Sequence, residues 1–208
     1  MLTNRAKFVV LAPVLEVVNR VIPGRPHQML SRRAVAAGPA AVLEVCAGGG
    51  YLARLIAARR PGCRVVALDI SAESLELGRL LAGREGLTNL EFVEADAARM
   101  PFGDGEFDSV VSCFGLHEIP TPVRAEALRE IRRVLRPGGG LFVVDLERPT
   151  SWWRPAWDLA VRFGEKPDAL DVTGDGLRDA LHTAGFSEVS RLGFRNRTPY
   201  QVIEAVSA

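Results

Sequence analysis

The sequence is poor in the residues that build covalent and metal-bound frameworks. Its 208 residues include three cysteines (Cys46, Cys63 and Cys113) and three histidines. An odd, scattered cysteine set excludes a disulfide scaffold and a cysteine zinc site, so no metal is expected and a reducing, cytoplasmic setting fits. No apolar run reaches the ~20 residues of a membrane span. The run from Phe8 to Leu15 is short, contains Pro13 and lacks a secretory cleavage site. Net charge is also lacking, at +1. No overall field therefore draws the chain to nucleic acid, which is not an expected partner. Lysine is nearly absent, with 2 against 24 arginines, and no function is read from that. What remains, 48% hydrophobic and 25% charged, is the make-up of an ordinary globular chain of one domain.

The charge is unevenly placed. Residues 1–40 carry six basic residues (Arg5, Lys7, Arg20, Arg25, Arg32 and Arg33) against Glu16, a balance of +5 that leaves about −4 for the rest. Such an arm is read either as a helix over the sheet with its basic residues in water, or as a peripheral contact with anionic lipid.

Beyond the arm, apolar runs alternate with helical patterns. Strands are predicted at Ala41 to Val45, Arg64 to Asp69, Leu90 to Glu94, Phe107 to Cys113 and Gly140 to Asp145. Helices are predicted at Tyr51 to Arg59, from Ser71 as N-cap to about Arg84, and from Thr121 to Arg136, where Pro137 and Gly138 end it. This alternation predicts an α/β fold, a mostly parallel sheet with helices on both faces. The tail departs from it: a helix from about Asp175 to Ala184, then Ser187 to Leu192 and Pro199 to Val206 with no helix between, predicts an antiparallel pair at one edge. The chain is expected to be one domain: a helical cap over residues 1–40, a ligand-binding core over 41–147, an aromatic insertion or lid over 148–173, and a C-terminal helix with a strand hairpin over 174–208.

Three strand ends carry the polar residues of a ligand site. VLEVCAGGG (Val42 to Gly50) puts Glu44 inside a strand and turns through glycines into a helix, whose free N–H groups suit an anion or carboxylate. Gly48, Gly50 and Ala53 also fit the G-x-G-x-x-A dinucleotide fingerprint. Asp69 ends the second strand and can accept two ribose hydroxyls, a use shared by nicotinamide and S-adenosylmethionine enzymes. Asp96 and Ala97 follow the third strand, where a carboxylate and a backbone N–H suit adenine. Ligands of open α/β sheets gather at these carboxyl ends.

Four stretches together, VLEVCAGGG, VVALDIS, LEFVEADAARMPFGDGEFDSVVSCFGLHEI and REIRRVLRPGGGLFVVDLERP, resemble the class I methyltransferases. Within these the chain is most similar to the ubiquinone/menaquinone-biosynthesis methyltransferase family, the methyltransferase type 11 pattern. The resemblance covers about Val42 to Pro149. It implies a Rossmann-like, seven-stranded sheet and S-adenosylmethionine as cofactor, with S-adenosylhomocysteine as product. It implies that Glu44 organises the glycine loop of Cys46, Ala47, Gly48 and Gly50. Asp69 would hold the ribose, Ile70 would pack on adenine, Asp96 and Ala97 would recognise adenine, and the Cys113 carbonyl would meet the cofactor's amino group. Cys46 stands at the loop's first glycine, and His117-Glu118 stand where the quinone enzymes carry Arg-Asn.

Methyl transfer needs alignment and a dry pocket, and a base only where the acceptor loses a proton, as a phenol or aromatic carbon does. His117 is the candidate base by position and Glu118 the second. Phe114, His117, Trp152, Trp153 and Trp157 are the candidate acceptor-binding residues, the tryptophans forming one apolar side of the insertion or else plugging the core. The expected activity is methyl transfer to a small apolar molecule, quinone-like, phenolic or a lipid head group. The alternatives are a nicotinamide-dependent oxidoreductase and a non-catalytic binding module. Oligomeric state stays open.

Overall fold

A computed structural model of the chain describes residues 19–152, 154–164, 167–192 and 198–207. The apolar stretch from Phe8 to Val18, the basic residues Arg5 and Lys7, and Trp153 lie outside the described residues. In order the elements are α1 (Pro26–Ala36), β1 (Ala41–Val45), α2 (Tyr51–Arg59), β2 (Arg64–Asp69), α3 (Ala72–Arg84), β3 (Leu90–Glu94), β4 (Phe107–Cys113), a 3-10 turn (Leu116–Glu118), α4 (Thr121–Val134), β5 (Leu135–Leu146), α5 (Arg154–Gly164), a second 3-10 segment (Pro167–Val172), α6 (Gly176–Thr183), β6 (Phe186–Leu192) and β7 (Tyr200–Ser207).

The strands make one seven-stranded sheet in the order β3-β2-β1-β4-β5-β7-β6. The first five run parallel. β7 runs antiparallel to both β5 and β6, so the expected antiparallel pair occupies one edge, with β6 outermost. The few residues between β6 and β7 are too short for a parallel crossover, which takes a dozen or more. β6 therefore lies parallel to β5, and β7 fills the gap between them.

Alternation along each strand feeds two cores. Leu43 and Val45 of β1, Val66 and Leu68 of β2, and Val110 of β4 pack with Leu128, Ile131 and Val134 of α4 and Leu177 and Leu181 of α6. Val42, Val65, Ala67 and Val111 face the other way, onto Leu30 and Ala34 of α1 and Leu52, Ala53 and Ile56 of α2. Runs that read as continuously apolar are thus two alternating sets, both buried. Part of the basic arm is used within the fold, where Arg33 pairs with Glu204 of β7.

One boundary departs from expectation. α4 stops at Val134, not Arg136, and Leu135 is already extended (φ −76°, ψ 134°) and pairs with Phe107. Pro137 bars the helical region to Arg136 before it, and Leu135 is nearly fully buried by joining the sheet. The residues after it bulge until Gly140 pairs with Ser109.

Asn89, just ahead of β3, finishes α2. Its Nδ2 donates to the carbonyls of Cys63 at 2.8 Å, Arg60 at 3.1 Å and Ala57 at 3.3 Å. Replacing Asn89 by Ala removes these bonds, leaving the Arg60 carbonyl only the Cys63 N–H, and is expected to cost about 1–3 kcal/mol. Urea unfolding checks this: the midpoint falls while the slope is unchanged.

Candidate active site

The site begins where β1 gives way to α2. Cys46, Gly48 and Gly50 all take positive φ, at 56°, 53° and 65°. Gly50 is required twice over, since a β-carbon there would also lie 2.7 Å from Cε1 of Phe92. The Ala47 N–H donates to the Leu68 carbonyl at 3.0 Å and the Gly48 N–H to Oδ2 of Asp69 at 2.7 Å, so the turn hangs on the end of β2. Oδ1 of Asp69 accepts the Ser71 N–H at 2.9 Å, and Ser71 caps α3 through the Ser74 N–H at 3.2 Å. Next to Asp69, Ile70 is 73% exposed, an apolar surface at the strand end. Past β3, exposed Asp96 accepts the Ala98 N–H at 2.9 Å, and Ala97 is buried. Glu44, the glycine turn, Asp69 and Asp96 come together because β1, β2 and β3 are adjacent and parallel.

Two expectations need correction. Glu44 does not bond the glycine loop. It is 3% exposed and accepts the Ala53 N–H of α2 at 2.7 Å, tying β1 to the first turn of the helix, while Asp69 holds the loop. The alternation that sends Val42 toward α2 sends Glu44 the same way. Burial pushes the Glu44 carboxyl up to about 8, with Asp69 adding to the rise and the Ala53 N–H and Arg54 opposing it. The tryptophans do not form one apolar side: Trp157 is buried, whereas Trp152 precedes the helix and is 92% exposed. Trp153 lies outside the described residues.

Cys46 carries a positive φ that strains a side-chain residue. Its β-carbon is accommodated by Gly115 across the strand ends, where any β-carbon would sit 2.4 Å away. Burial raises the Cys46 thiol, and Asp69, Asp145 and Glu44 raise it further. Cys113 is raised by burial, Glu44 and Asp145. Neither thiol is poised as a thiolate.

The far side is built on the ends of β4 and β5. Phe114 also takes positive φ (55°), and its N–H donates to the Val144 carbonyl at 2.8 Å. The 3-10 turn that follows presents His117, buried, with Nδ1 2.6 Å from Oδ1 of Asp145. The His117 backbone N–H donates to Oδ2 of the same carboxylate at 3.2 Å. Asp145 is fully buried near the end of β5. An acid held this way orients the imidazole and fixes its tautomer, with Nδ1 the donor. Nε2 lies 3.6 Å from Oε1 of Glu118. Arg124 pins the turn from α4: Nε donates to the Leu116 carbonyl at 2.8 Å, and Nη2 donates to those of Ile119 at 2.8 Å and Asp168 at 3.0 Å. Sequence reasoning missed Asp145 and Arg124. An acid closing the otherwise apolar strand GLFVVD was a signal for the first; nothing local marks the second.

The family model for a methyltransferase domain matches residues 42–139, the span from β1 to the first residues of β5. An uncharacterized methyltransferase of Synechocystis sp. is 35% identical over 80% of this chain and 76% of its own length. The chain belongs to the methyltransferase family. A ubiquinone/menaquinone biosynthesis C-methyltransferase of Pseudomonas putida is 37% identical over 68% of this chain, a match that spans 57% of that enzyme. The crystal structure of a SAM-dependent methyltransferase from Aquifex aeolicus superposes over all of both chains, with a TM-score of 0.67 at 19% identity.

S-adenosylmethionine is the cofactor of this methyltransferase family, and the residues present fit it. The glycine turn leaves no β-carbon between the strand ends and a ligand at Gly48. Asp69, half-buried at the end of β2, is a carboxylate that could accept ribose hydroxyls, and Ile70 beside it is an exposed apolar side chain that could meet a flat base.

Because its folded value is raised, Glu44 holds a proton that the unfolded chain releases at a lower pH. That contribution to stability is complete below the ordinary carboxyl range and is lost as pH rises through about 8. Wild type should therefore lose stability relative to the Glu44→Gln variant between pH 5 and 9 in urea titrations. A constant gap between the two profiles would contradict the raised value.

Proposed function

We propose that this methyltransferase moves the methyl group of S-adenosylmethionine to a small, largely apolar acceptor that gives up a proton, a phenol or quinol-like ring. The observation that carries the reading is the buried His117–Asp145 pair at the ends of β4 and β5. The quinone-pathway names of relatives such as the P. putida enzyme support a ring of this class.

The cofactor, when bound, supplies an electrophilic methyl group on a sulfonium. Glu44, Asp69, Ile70, Asp96, Ala97 and the carbonyl of Cys113 bind and orient it across β1 to β4. His117 accepts the acceptor's proton at Nε2 as the new bond to the methyl carbon forms, and the bond to sulfur breaks. Asp145 keeps Nδ1 protonated, so the lone pair faces away from it, and stabilises the imidazolium that results. Arg124 holds the turn so that this geometry is in place beforehand. Phe114 and the turn exclude water from the reacting edge, and buried Trp157 extends the apolar cover from α5. No described helix is long and apolar enough to cross a membrane. The free cysteines support a reducing, cytoplasmic setting.

Calorimetric titration tests the cofactor: heat is expected with S-adenosylhomocysteine and none with NADH. Asp69→Ala removes charged hydrogen bonds worth ~1.5–3 kcal/mol, about 10- to 150-fold in dissociation constant. Binding unchanged by that substitution would refute the ribose role. His117→Ala and Asp145→Asn should each lower kcat on the order of 100-fold or more while product affinity holds. Full turnover in either variant would remove the base from the scheme.

A further inference from the structure

A second buried imidazole flanks the same strand ends. His27, in the first turn of α1, is 5% exposed, and its Nδ1 has no hydrogen-bond partner among the described residues. Its ring meets Tyr51 edge-on, with centroids 5.1 Å apart and planes at 82°, and lies 6.2 Å from the ring of Phe114. Tyr51 is the first residue of α2, directly after the glycine turn, and Phe114 directly follows β4. Phe114 in turn packs edge-on against Tyr200, whose hydroxyl donates to the Pro23 carbonyl at 2.7 Å and moors the entry to α1. His27 therefore bridges the two sides of the switch point between β1 and β4, within an aromatic wall. His117 and Leu116 lie on the α4 side of the sheet, with Asp145 following the register of Val143. His27 comes from the α1–α2 side, so the two imidazoles flank the strand ends from opposite faces.

A buried polar atom with no partner is costly, and most are found paired. Burial drives the His27 imidazole down to about 4, so at neutral pH it is uncharged, with one nitrogen a donor and the other an acceptor. A neutral imidazole between aromatic edges suits an oxygen on an aromatic ring. A charged or aliphatic group would gain little there.

We propose that His27 is an acceptor-binding residue whose Nδ1 hydrogen-bonds a ring oxygen of an aromatic hydroxyl substrate seated against Tyr51 and Phe114. The assignment rests on the methyl-transfer reading and extends it, by setting which oxygenated rings the site retains and which bare rings it lets go. His117 handles the proton at the reacting edge, and His27 grips an oxygen of the same ring.

The test uses the full chain saturated with S-adenosylhomocysteine. It compares 1,4-dihydroxynaphthalene, kept reduced under anaerobic conditions, with naphthalene as the same ring without oxygens. Wild type should bind the diol at least about tenfold more tightly. His27→Phe should lose most of that preference, by about fivefold or more, while His117 keeps the remainder; it should keep its affinity for S-adenosylhomocysteine and melt no lower than wild type, since it removes an unpaired polar atom and keeps an aromatic ring. A nitrogen NMR spectrum of histidine-labelled wild type provides a reading that needs no variant: the diol shifts the His27 ring signals and naphthalene does not. Equal binding of diol and bare ring by wild type overturns the proposal. So does a diol preference undiminished in His27→Phe, or a His27 signal that ignores the diol. Absence of S-adenosylhomocysteine binding to wild type would be a different failure, one that removes the methyl-transfer reading and this proposal together.

Discussion

The carboxylate of Asp69 fastens two pieces of chain at once. One oxygen takes the Gly48 N–H and the other the Ser71 N–H, so the glycine turn after β1 and the start of α3 after β2 share a single anchor. The turn takes positive φ at three residues, of which Cys46 alone is strained, since glycine adopts that region freely. It persists because this anchor, the Ala47 bond to Leu68 and the Phe92 ring beneath Gly50 over-determine its shape. The same half-buried acid keeps lone pairs for a further donor, so the residue that preforms the turn is also one a ligand could reach.

Acids recur at the strand ends with a different task at each. Glu44 faces α2 and joins sheet to helix; Asp69 joins turn to helix; Asp145 faces α4 and joins sheet to an imidazole. Parallel packing makes this economical, because each of β1 to β5 delivers its last residue to the same end of the sheet. The face each acid serves follows from whether it stands at an odd or even place in its strand. The two buried histidines divide along the same line, one on each face, with the ends of β4 and β5 between them.

Cys46 shows how a side chain is absorbed in a turn otherwise made by glycines. A side chain at a glycine's place needs room and a tolerated backbone. The room comes from Gly115, sixty-nine positions later in the chain but in contact across β1 and β4. The thiol stays neutral among Asp69, Asp145 and Glu44, so the substitution adds bulk to the site without adding a nucleophile.

Local chemistry made most of the scaffold legible. The glycines after VLEV, the cap at Ser71, the Pro-Gly stops and the apolar runs mark β1 to β4, α2 and α3 at the residues where they are found, because those signals act within a turn or two of themselves. The acids at the strand ends were readable for the same reason, as were Phe114 and His117 just after β4. Leu135 was misplaced because its partner, Phe107, is distant in sequence and its burial outweighs one more helical turn. Asp145 gained its meaning only when β5 lay beside β4, and Arg124 only when α4 reached back over the turn it pins. His27 and Trp152 were decided by burial alone, one set against rings from two separate segments and the other left in solvent. The sequence by itself determined which elements form and which chemistry stands at their ends. The tertiary structure decided which of those groups meet, since contact between residues far apart in the chain depends on how the sheet orders its strands.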